Sequence, residues 1–397
     1  MKDFYYHNII LKSLNNPKTT NLDSFVKNCN GCFIVDCINE LRYINSNKAK
    51  AFYKEKSLKR NLNFEKYYKD INYLPIPHML DSDWRFTKKS ANFLFSIIGC
   101  ERFANDKCLM VGTPSLLHNK DKSNLQNLNI MLVEKNKTSV KHHNKIIKDI
   151  LKFKTKTKYN CIICDPPWYH DTIIKFVKNF NKLIQVEGTL ILILPPIGVR
   201  SSISKEHENL MQILDKLGFE LQKTYLQSVT YTSSPFEVNS ILENNIYNFS
   251  LDWRTGDVYV FKKKRKTKYI IKLPKFIYKK SIAWQEFQLK NIRIKVRRKK
   301  NIYKKLPVIS HVCKNDILES VSMRNPILEK VDIWTSGNRV FECNNTRLVC
   351  RILKSLQNKS IEECYKIYPD QANLLSLFEE IINKEYEEYG KYWDKTI

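Results

Sequence analysis

Asp165-Pro166-Pro167-Trp168 is the run of residues in this chain best suited to chemistry. Two consecutive prolines fix φ and remove two backbone donors, which makes a rigid loop with exposed carbonyl oxygens. A carboxylate and one such carbonyl together accept both hydrogens of an amino group and turn the nitrogen lone pair toward an electrophile. The neighbouring indole supplies a face on which a planar base can stack. The plain alternative is a strand-ending turn that contains two prolines. Context favours the chemical reading, because the motif follows the apolar run Tyr159 to Cys164 and precedes a helical pattern from Asp171 to Ile184.

Two further groups also follow buried apolar runs. Gly112-Thr113-Pro114-Ser115 closes the run that starts at Lys107, and Glu134 closes the run that starts at Asn129. In an open parallel sheet, ligands sit beyond the carboxyl ends of the strands, near the point where strand order reverses. An acid at the end of a second strand is placed to accept hydrogen bonds from a ribose diol.

The elements that must position these groups alternate between strand and helix from about 75 to 263, which favours an α/β domain with a mainly parallel sheet. Trp84 to Ile98 reads as a helix opening near Thr87. Gly188 to Leu194 is a fourth strand, and Lys205 to Leu217 a helix stopped by Gly218. Leu221 to Val229 and Asp257 to Phe261 would finish the sheet as an antiparallel pair. Residues 1–74 read as an N-terminal accessory region or a cover, with a strand at Cys32 to Cys37 and a charged helix from Ser46 to Tyr68, capped by Ser46. Residues 264–397 read as a C-terminal extension, basic at first and then a helical, acidic tail.

A strand followed by Asp-Pro-Pro-aromatic resembles the signature of S-adenosylmethionine-dependent amino-methyltransferases, especially N6-adenine enzymes of the class I fold. The resemblance covers roughly residues 80 to 263. It implies a Rossmann-like class I methyltransferase sheet, with the N-terminal accessory region and a basic α+β extension added to it. It also implies S-adenosylmethionine as cofactor and Asp165, Pro166, Pro167 and Trp168 as the catalytic loop. Glu134 would bind the ribose, Gly112 and Thr113 would form the cofactor loop, and Thr87 would lie against the methionine part. Thr87 is equally placed to cap a helix.

Two departures stand out. The cofactor segment precedes the catalytic loop, unlike the messenger-RNA adenosine methyltransferases that share Asp-Pro-Pro-Trp, so the chain is not assigned to that subfamily. The first loop holds a single glycine and a proline where the family is usually glycine-rich. Related aminopropyltransferases that build branched polyamines have similarly reduced loops.

The formal net charge of +28 points to a polyanionic partner, although an A/T-rich genome would also enrich lysine. Its clustering is more telling. Between Lys262 and Lys305 there are nineteen Lys or Arg against one acid, Glu286. Lys263, Lys264, Arg265, Arg297, Arg298, Lys299 and Lys300 are the expected phosphate contacts, with Tyr269, Phe276, Tyr278 and Trp284 for stacking. A guarded, solvated strand edge is the alternative.

Other features suggest less. Cys161 and Cys164 lie three apart on a strand and so face opposite ways, which argues against shared metal ligation. Cys29-Asn30-Gly31-Cys32 is a better-shaped knuckle but lacks a second pair, and no metal is expected. His170 and Asp171 read as the start of a helix, and Pro195-Pro196 as a possible substrate-side wall. Asp332 to Phe341 reads as a hairpin turning at Gly337-Asn338. Eleven scattered cysteines and a start without signal-peptide pattern read as reduced, cytoplasmic and soluble, with no membrane association.

The favoured function is methyl transfer to an exocyclic amine of a nucleic-acid base, adenine N6 first, with a partner subunit left open. The rivals are a degenerate methyltransferase-like subunit that binds nucleic acid, and a protein-amine methyltransferase or polyamine aminopropyltransferase.

Overall fold

The computed structural model describes residues 4–100, 106–119, 129–136, 145–267, 283–299 and 309–394. They fall into two compact units. The first takes in the described residues of 1–62, 84–233 and 247–276, and the second those of 63–83, 234–246 and 277–397. The boundaries expected at 74 and 263 are therefore redrawn: the N-terminal helices belong with the large sheet, and the short segments 63–83 and 234–246 belong with the C-terminal part.

The first unit is built on an eight-stranded sheet. Its strands are β1 (Arg85–Phe86), β2 (Lys107–Val111), β3 (Asn129–Glu134), β4 (Lys145–Ile147), β5 (Tyr159–Cys164), β6 (Ile184–Leu194), β7 (Phe219–Thr232) and β8 (Thr255–Lys263). They run in the order β1-β7-β8-β6-β5-β2-β3-β4. Strands β2 to β6 are parallel, while β8 is antiparallel to both β6 and β7. Chain order runs outward from β2 through β3 to β4, and in the other direction through β5 to β6. The switch point lies between β2 and β5. This is the expected Rossmann-like α/β architecture, with the expected antiparallel pair at one side.

The central strands are apolar along their whole length because both faces are covered. Leu109, Val111, Ile162, Cys164, Leu190 and Leu192 pack on one face with Ile173, Val177, Phe180 and Leu214 of the helices His170–Leu183 and Ile203–Lys216. Cys108, Met110, Cys161, Ile163 and Ile191 pack on the other with Ala91, Leu94 and Ile98 of the helix Lys88–Cys100. Cys161 and Cys164 thus face opposite ways.

Three local expectations change. Cys32 to Cys37 is not a strand: Ile34, Val35, Cys37, Ile38 and Leu41 are buried at helical spacing along the helix Ile34–Leu41. The helix capped by Ser46 ends at Glu55, and a separate short helix covers Phe64–Tyr68. The break has a cause, since the Lys56 carbonyl accepts from Tyr247 N at 2.8 Å and is lost to helix continuation. Strands β7 and β8 pair as expected but are not joined by a tight turn, because the helix Pro235–Glu243 intervenes.

The second unit carries a five-stranded antiparallel sheet of β9 (Trp284–Leu289), β10 (Ile292–Arg297), β11 (Ile309–His311), β12 (Ile333–Thr335) and β13 (Val340–Cys343), in the order β11-β13-β12-β10-β9. Helices Thr346–Asn358 and Ala372–Glu388 pack on it through Val349, Ile352, Leu375 and Phe378. The hairpin of Asp332 to Phe341 is present as β12 and β13, with Asn338 at φ 67° in its turn. No helix among the described residues is long and apolar enough to cross a membrane.

Candidate active site

Three predicted groups meet at the switch point. Gly112 follows β2 with φ of 64°, and its N–H donates to the Val133 carbonyl at 3.2 Å, one residue before Glu134. A side-chain carbon at Gly112 would lie 3.3 Å from the Asp165 backbone oxygen. Asp165 follows β5. The Cys164 thiol beside it is pushed well up by burial first and then by the charges of Asp165 and Glu134, so both carboxylates flank this strand end.

Asp165 keeps part of its surface open to solvent while protein encloses the rest. That enclosure raises its pKa to about 7, against the pull of donors on Tyr231 and Trp168. The Tyr231 hydroxyl is buried there without completing a well-formed hydrogen bond within the chain, and the charge of Asp165 adds to burial in holding its own pKa well up. Trp168 stands edge-on to Tyr231 with ring centroids 5.8 Å apart. Pro166 is buried and Pro167 partly exposed, and the Pro167 carbonyl accepts from Tyr169 N at 2.7 Å to turn the chain into the following helix. His170 contacts Asn209 at 3.0 Å, and Asp171 stands in the helix's first turn.

The residues expected to hold the cofactor behave in different ways. The Thr113 hydroxyl is buried and has no partner within the chain, and Glu134 accepts from Asn136 N at 2.9 Å. An orphaned hydroxyl, a left-handed glycine and an acid at neighbouring strand ends fit a nucleoside-bearing cofactor. Thr87 does what a cap does. Its hydroxyl accepts from Ser90 N at 3.3 Å and lies 2.9 Å from the Thr230 hydroxyl.

The knuckle Cys29 to Cys32 lies at the carboxyl end of β6. Asn30 carbonyl accepts from Gly198 N at 2.8 Å, and the Asn30 side chain accepts from Gln227 Nε2 at 2.9 Å. Gln227 lies where the β7–β8 register shifts, and its N–H donates to the Asp257 carboxylate at 2.7 Å. Burial raises the Asp257 pKa to about 6. Cys29 and Cys37 thiols donate to backbone carbonyls of Phe25 and Cys32, at 3.2 Å and 3.6 Å. Among the described residues no group of three or more His, Cys, Asp or Glu is arranged to hold a metal ion.

The basic residues do not act alike. Lys263 is buried, donates to Asn181 and to the Leu217 carbonyl, and lies 4.4 Å from the Phe219 ring centroid. It is a structural lysine and not a phosphate contact, because strand alternation turns it inward. Lys264 faces solvent, 3.7 Å from Glu187, and Arg265 is exposed. Arg297 donates to the carbonyls of Leu328 and Glu329 and lies 5.5 Å from the Trp284 ring centroid. Lys299 pairs with Asp332 at 2.6 Å, and Arg298 is exposed. Lys300, Tyr269, Phe276 and Tyr278 lie outside the described residues.

Sequence reasoning missed Tyr231, Arg254 and Trp253. β7 runs past the expected end at Val229 to Thr232, which brings Tyr231 to Asp165. The signal available was Trp253-Arg254 directly ahead of β8, an aromatic and a cation at a strand entrance.

No protein-family model matches the chain, and no curated protein matches it. Among solved structures, the branched-chain polyamine synthase from Thermus thermophilus, in complex with N4-aminopropylspermidine and 5′-methylthioadenosine, is similar over 67% of this chain and 89% of that one. Its TM-score is 0.50 at 10% identity. The N-methyltransferase NodS from Bradyrhizobium japonicum is similar over 44% of this chain and 94% of that one, with a TM-score of 0.29 at 12% identity. At 10% identity the likeness to the polyamine synthase is one of fold, and it agrees with the strand order: the chain has a Rossmann-like α/β fold.

Proposed function

We propose that this chain is an S-adenosylmethionine-dependent N-methyltransferase acting on an exocyclic amine of a nucleic-acid base, adenine N6 first. The observation that carries the reading is the meeting of Gly112, Glu134 and Asp165 at the switch point of the sheet, with Trp168 and Tyr231 beside the carboxyl. Gly112, Thr113 and Glu134 would hold the cofactor, which supplies an electrophilic methyl group on a sulfonium when bound.

The chain's own residues supply the rest. Asp165 and the rigid prolyl loop accept from the amino group and aim its lone pair. A carboxyl poised near 7 takes the proton released when the nitrogen is alkylated, which suits a general base at neutral pH. Trp168 offers a stacking face. Lys264, Arg265 and Arg298 are among the exposed cations of the basic segment and would contact phosphates, which positions a nucleic acid without selecting its sequence.

The test is calorimetric titration with S-adenosylmethionine of the wild-type chain and Glu134→Ala, followed by transfer of labelled methyl groups to DNA and RNA oligonucleotides. Micromolar binding lost in the variant, with label on adenine, supports the reading. Absence of cofactor binding by the wild-type chain sinks it and favours a degenerate nucleic-acid-binding subunit.

A second reading is aminopropyl transfer to a polyamine. The likeness to the polyamine synthase favours it, while the net charge of +28 opposes a cationic acceptor. Release of methylthioadenosine from decarboxylated S-adenosylmethionine in the presence of spermidine would select it.

A further inference from the structure

Tyr231 is the next-to-last residue of β7 and pairs with Phe86 of β1. Its ring is held on several sides. Phe86 stacks on it with ring centroids 4.9 Å apart, and Trp168 meets it edge-on at 5.8 Å. Its N–H donates to the Arg254 carbonyl at 3.0 Å. The far end of the ring is given room by Gly256, where a side-chain carbon would lie 3.1 Å from the Tyr231 hydroxyl. A ring confined in this way delivers its hydroxyl to one place, and that place is beside Asp165.

The hydroxyl is buried and completes no well-formed hydrogen bond within the chain. A buried donor left unmade is costly, and a phenylalanine would fill the same space without that cost. The oxygen atom therefore calls for an explanation. Its charged surroundings suggest one. Besides burial, the charges of Asp165 and Asp257 act on Tyr231 in one sense and Arg254 in the other. Burial and the charges of Asp165 and Glu134 likewise hold up the Cys164 thiol. An ionised Asp165 thus stands partly enclosed among other carboxylates. Donors on Tyr231 and Trp168 favour its charged form against that enclosure.

Resting on the methyltransferase reading above, we propose that Tyr231 is the positioning residue of Asp165: its hydroxyl donates to the inner oxygen of the ionised carboxylate and leaves the outer oxygen to accept from the amine. A base held in orientation by a third group is a recurring catalytic arrangement. As the nitrogen–carbon bond forms and the sulfur–carbon bond breaks, the amine proton passes to the outer oxygen. Tyr231 keeps its own proton throughout, because burial and the neighbouring carboxylates hold its pKa well up. It touches neither substrate nor cofactor, and acts through Asp165 alone.

The experiment is a carboxyl carbon-13 NMR titration of the full chain labelled in aspartate, without cofactor, with Asp165→Asn assigning the signal. The wild-type midpoint is expected at about 7. Tyr231→Phe removes the donor and should raise the midpoint to about 8. Site-specific 3-fluorotyrosine at position 231, a more acidic phenol of nearly the same size, should lower it below the wild-type value. The second protein also supplies the reading if Tyr231→Phe fails to fold by circular dichroism. The pH–rate midpoint for methyl transfer should move with the titration. Tyr231→Phe should then lose about fivefold in rate at pH 7 and recover above about pH 9, with S-adenosylmethionine affinity unchanged.

A midpoint that stays at the wild-type value in either folded protein overturns the proposal, since a tyrosine that only packs predicts that result. The titration needs no cofactor, so the two readings fail separately. Methyl transfer by a wild-type chain with an unmoved midpoint keeps the methyltransferase reading and removes the role of Tyr231. A moved midpoint in a chain that neither binds S-adenosylmethionine nor transfers methyl sinks the methyltransferase reading alone.

Discussion

Gly112 and Asp165, at the ends of adjacent parallel strands, approach so closely that a side-chain carbon on the first would lie 3.3 Å from the backbone oxygen of the second. The glycine is also left-handed, at φ of 64°. Close approach and unusual backbone together explain why this otherwise glycine-poor loop keeps one glycine. Gly112→Ala should cost about 1 kcal/mol of stability from backbone strain, measurable by urea unfolding. It should weaken S-adenosylmethionine binding by about tenfold or more by calorimetry, since the displaced loop is the one expected to hold the cofactor. Unchanged affinity in the folded variant would remove Gly112 from the cofactor site.

Asp165 ties activity and stability to pH with opposite signs. Its folded pKa of about 7 lies above the unfolded value near 3.8. Between those values the folded chain binds more protons, so the group's contribution to stability falls as pH rises through that window. A carboxylate is the form that accepts an amino proton, so the transfer rate should rise over the same range and level off above about pH 7. Asp165→Asn should lower the rate by about 10²-fold or more and stabilise the fold at pH 8, with a ceiling of about 4 kcal/mol. Melting curves at pH 5 and pH 8 check the second part: the gain must appear at pH 8 and shrink at pH 5.

Much of this site was legible because it rests on short, local signals. The apolar runs ending at Gly112, Glu134 and Asp165 mark buried strands whatever the rest of the chain does, and strand ends are where ligands bind in such sheets. What was not legible depends on distant pairing. Tyr231 reaches Asp165 only because β7 continues past a shifted register to Thr232. Arg254 reaches three tryptophans drawn from separate segments, and no spacing rule joins positions 84, 168 and 253. The helix Ile34–Leu41 was hidden for another reason. Its first residues, Ile34 and Val35, are β-branched and follow an aromatic, so the opening of the run has the composition of a strand.

Lys263 separates charge count from charge availability. It lies in the most basic part of the sequence, yet its ammonium is spent on Asn181 and the Leu217 carbonyl, and burial lowers its pKa to about 8. Lys263→Met should therefore change the fold's stability and leave the salt dependence of oligonucleotide binding unmoved. Lys264→Ala with Arg265→Ala, both exposed, should reduce the slope of log affinity against log salt by up to about 2 if both touch phosphates. A reduced slope in the Lys263 variant alone would reverse the assignment.

In the second unit, Glu385 is fully buried against Arg339 at 3.4 Å, accepts from Gly337 N at 3.2 Å, and bonds the Thr335 hydroxyl. Burial raises its pKa to about 7 in spite of the arginine. The carboxyl gathers the turn of the β12–β13 hairpin onto the helix Ala372–Glu388, so its value is geometric as well as electrostatic. Glu385→Ala leaves the turn donors without their acceptor and leaves Arg339 paired with Glu388 at 3.1 Å. A loss of about 3 kcal/mol is expected from breaking such a buried pair. Gly337→Ala should do comparable damage by a different route, because its added carbon would collide with the Tyr389 hydroxyl and fall 2.5 Å from Glu385 Oε1. If the hydroxyl and the carboxyl are gathered on one turn, the two substitutions disrupt the same contacts and their costs will not add. Denaturant unfolding of both single variants and the double variant measures this: a double-variant loss equal to the sum would mean that the carboxyl and the glycine act independently.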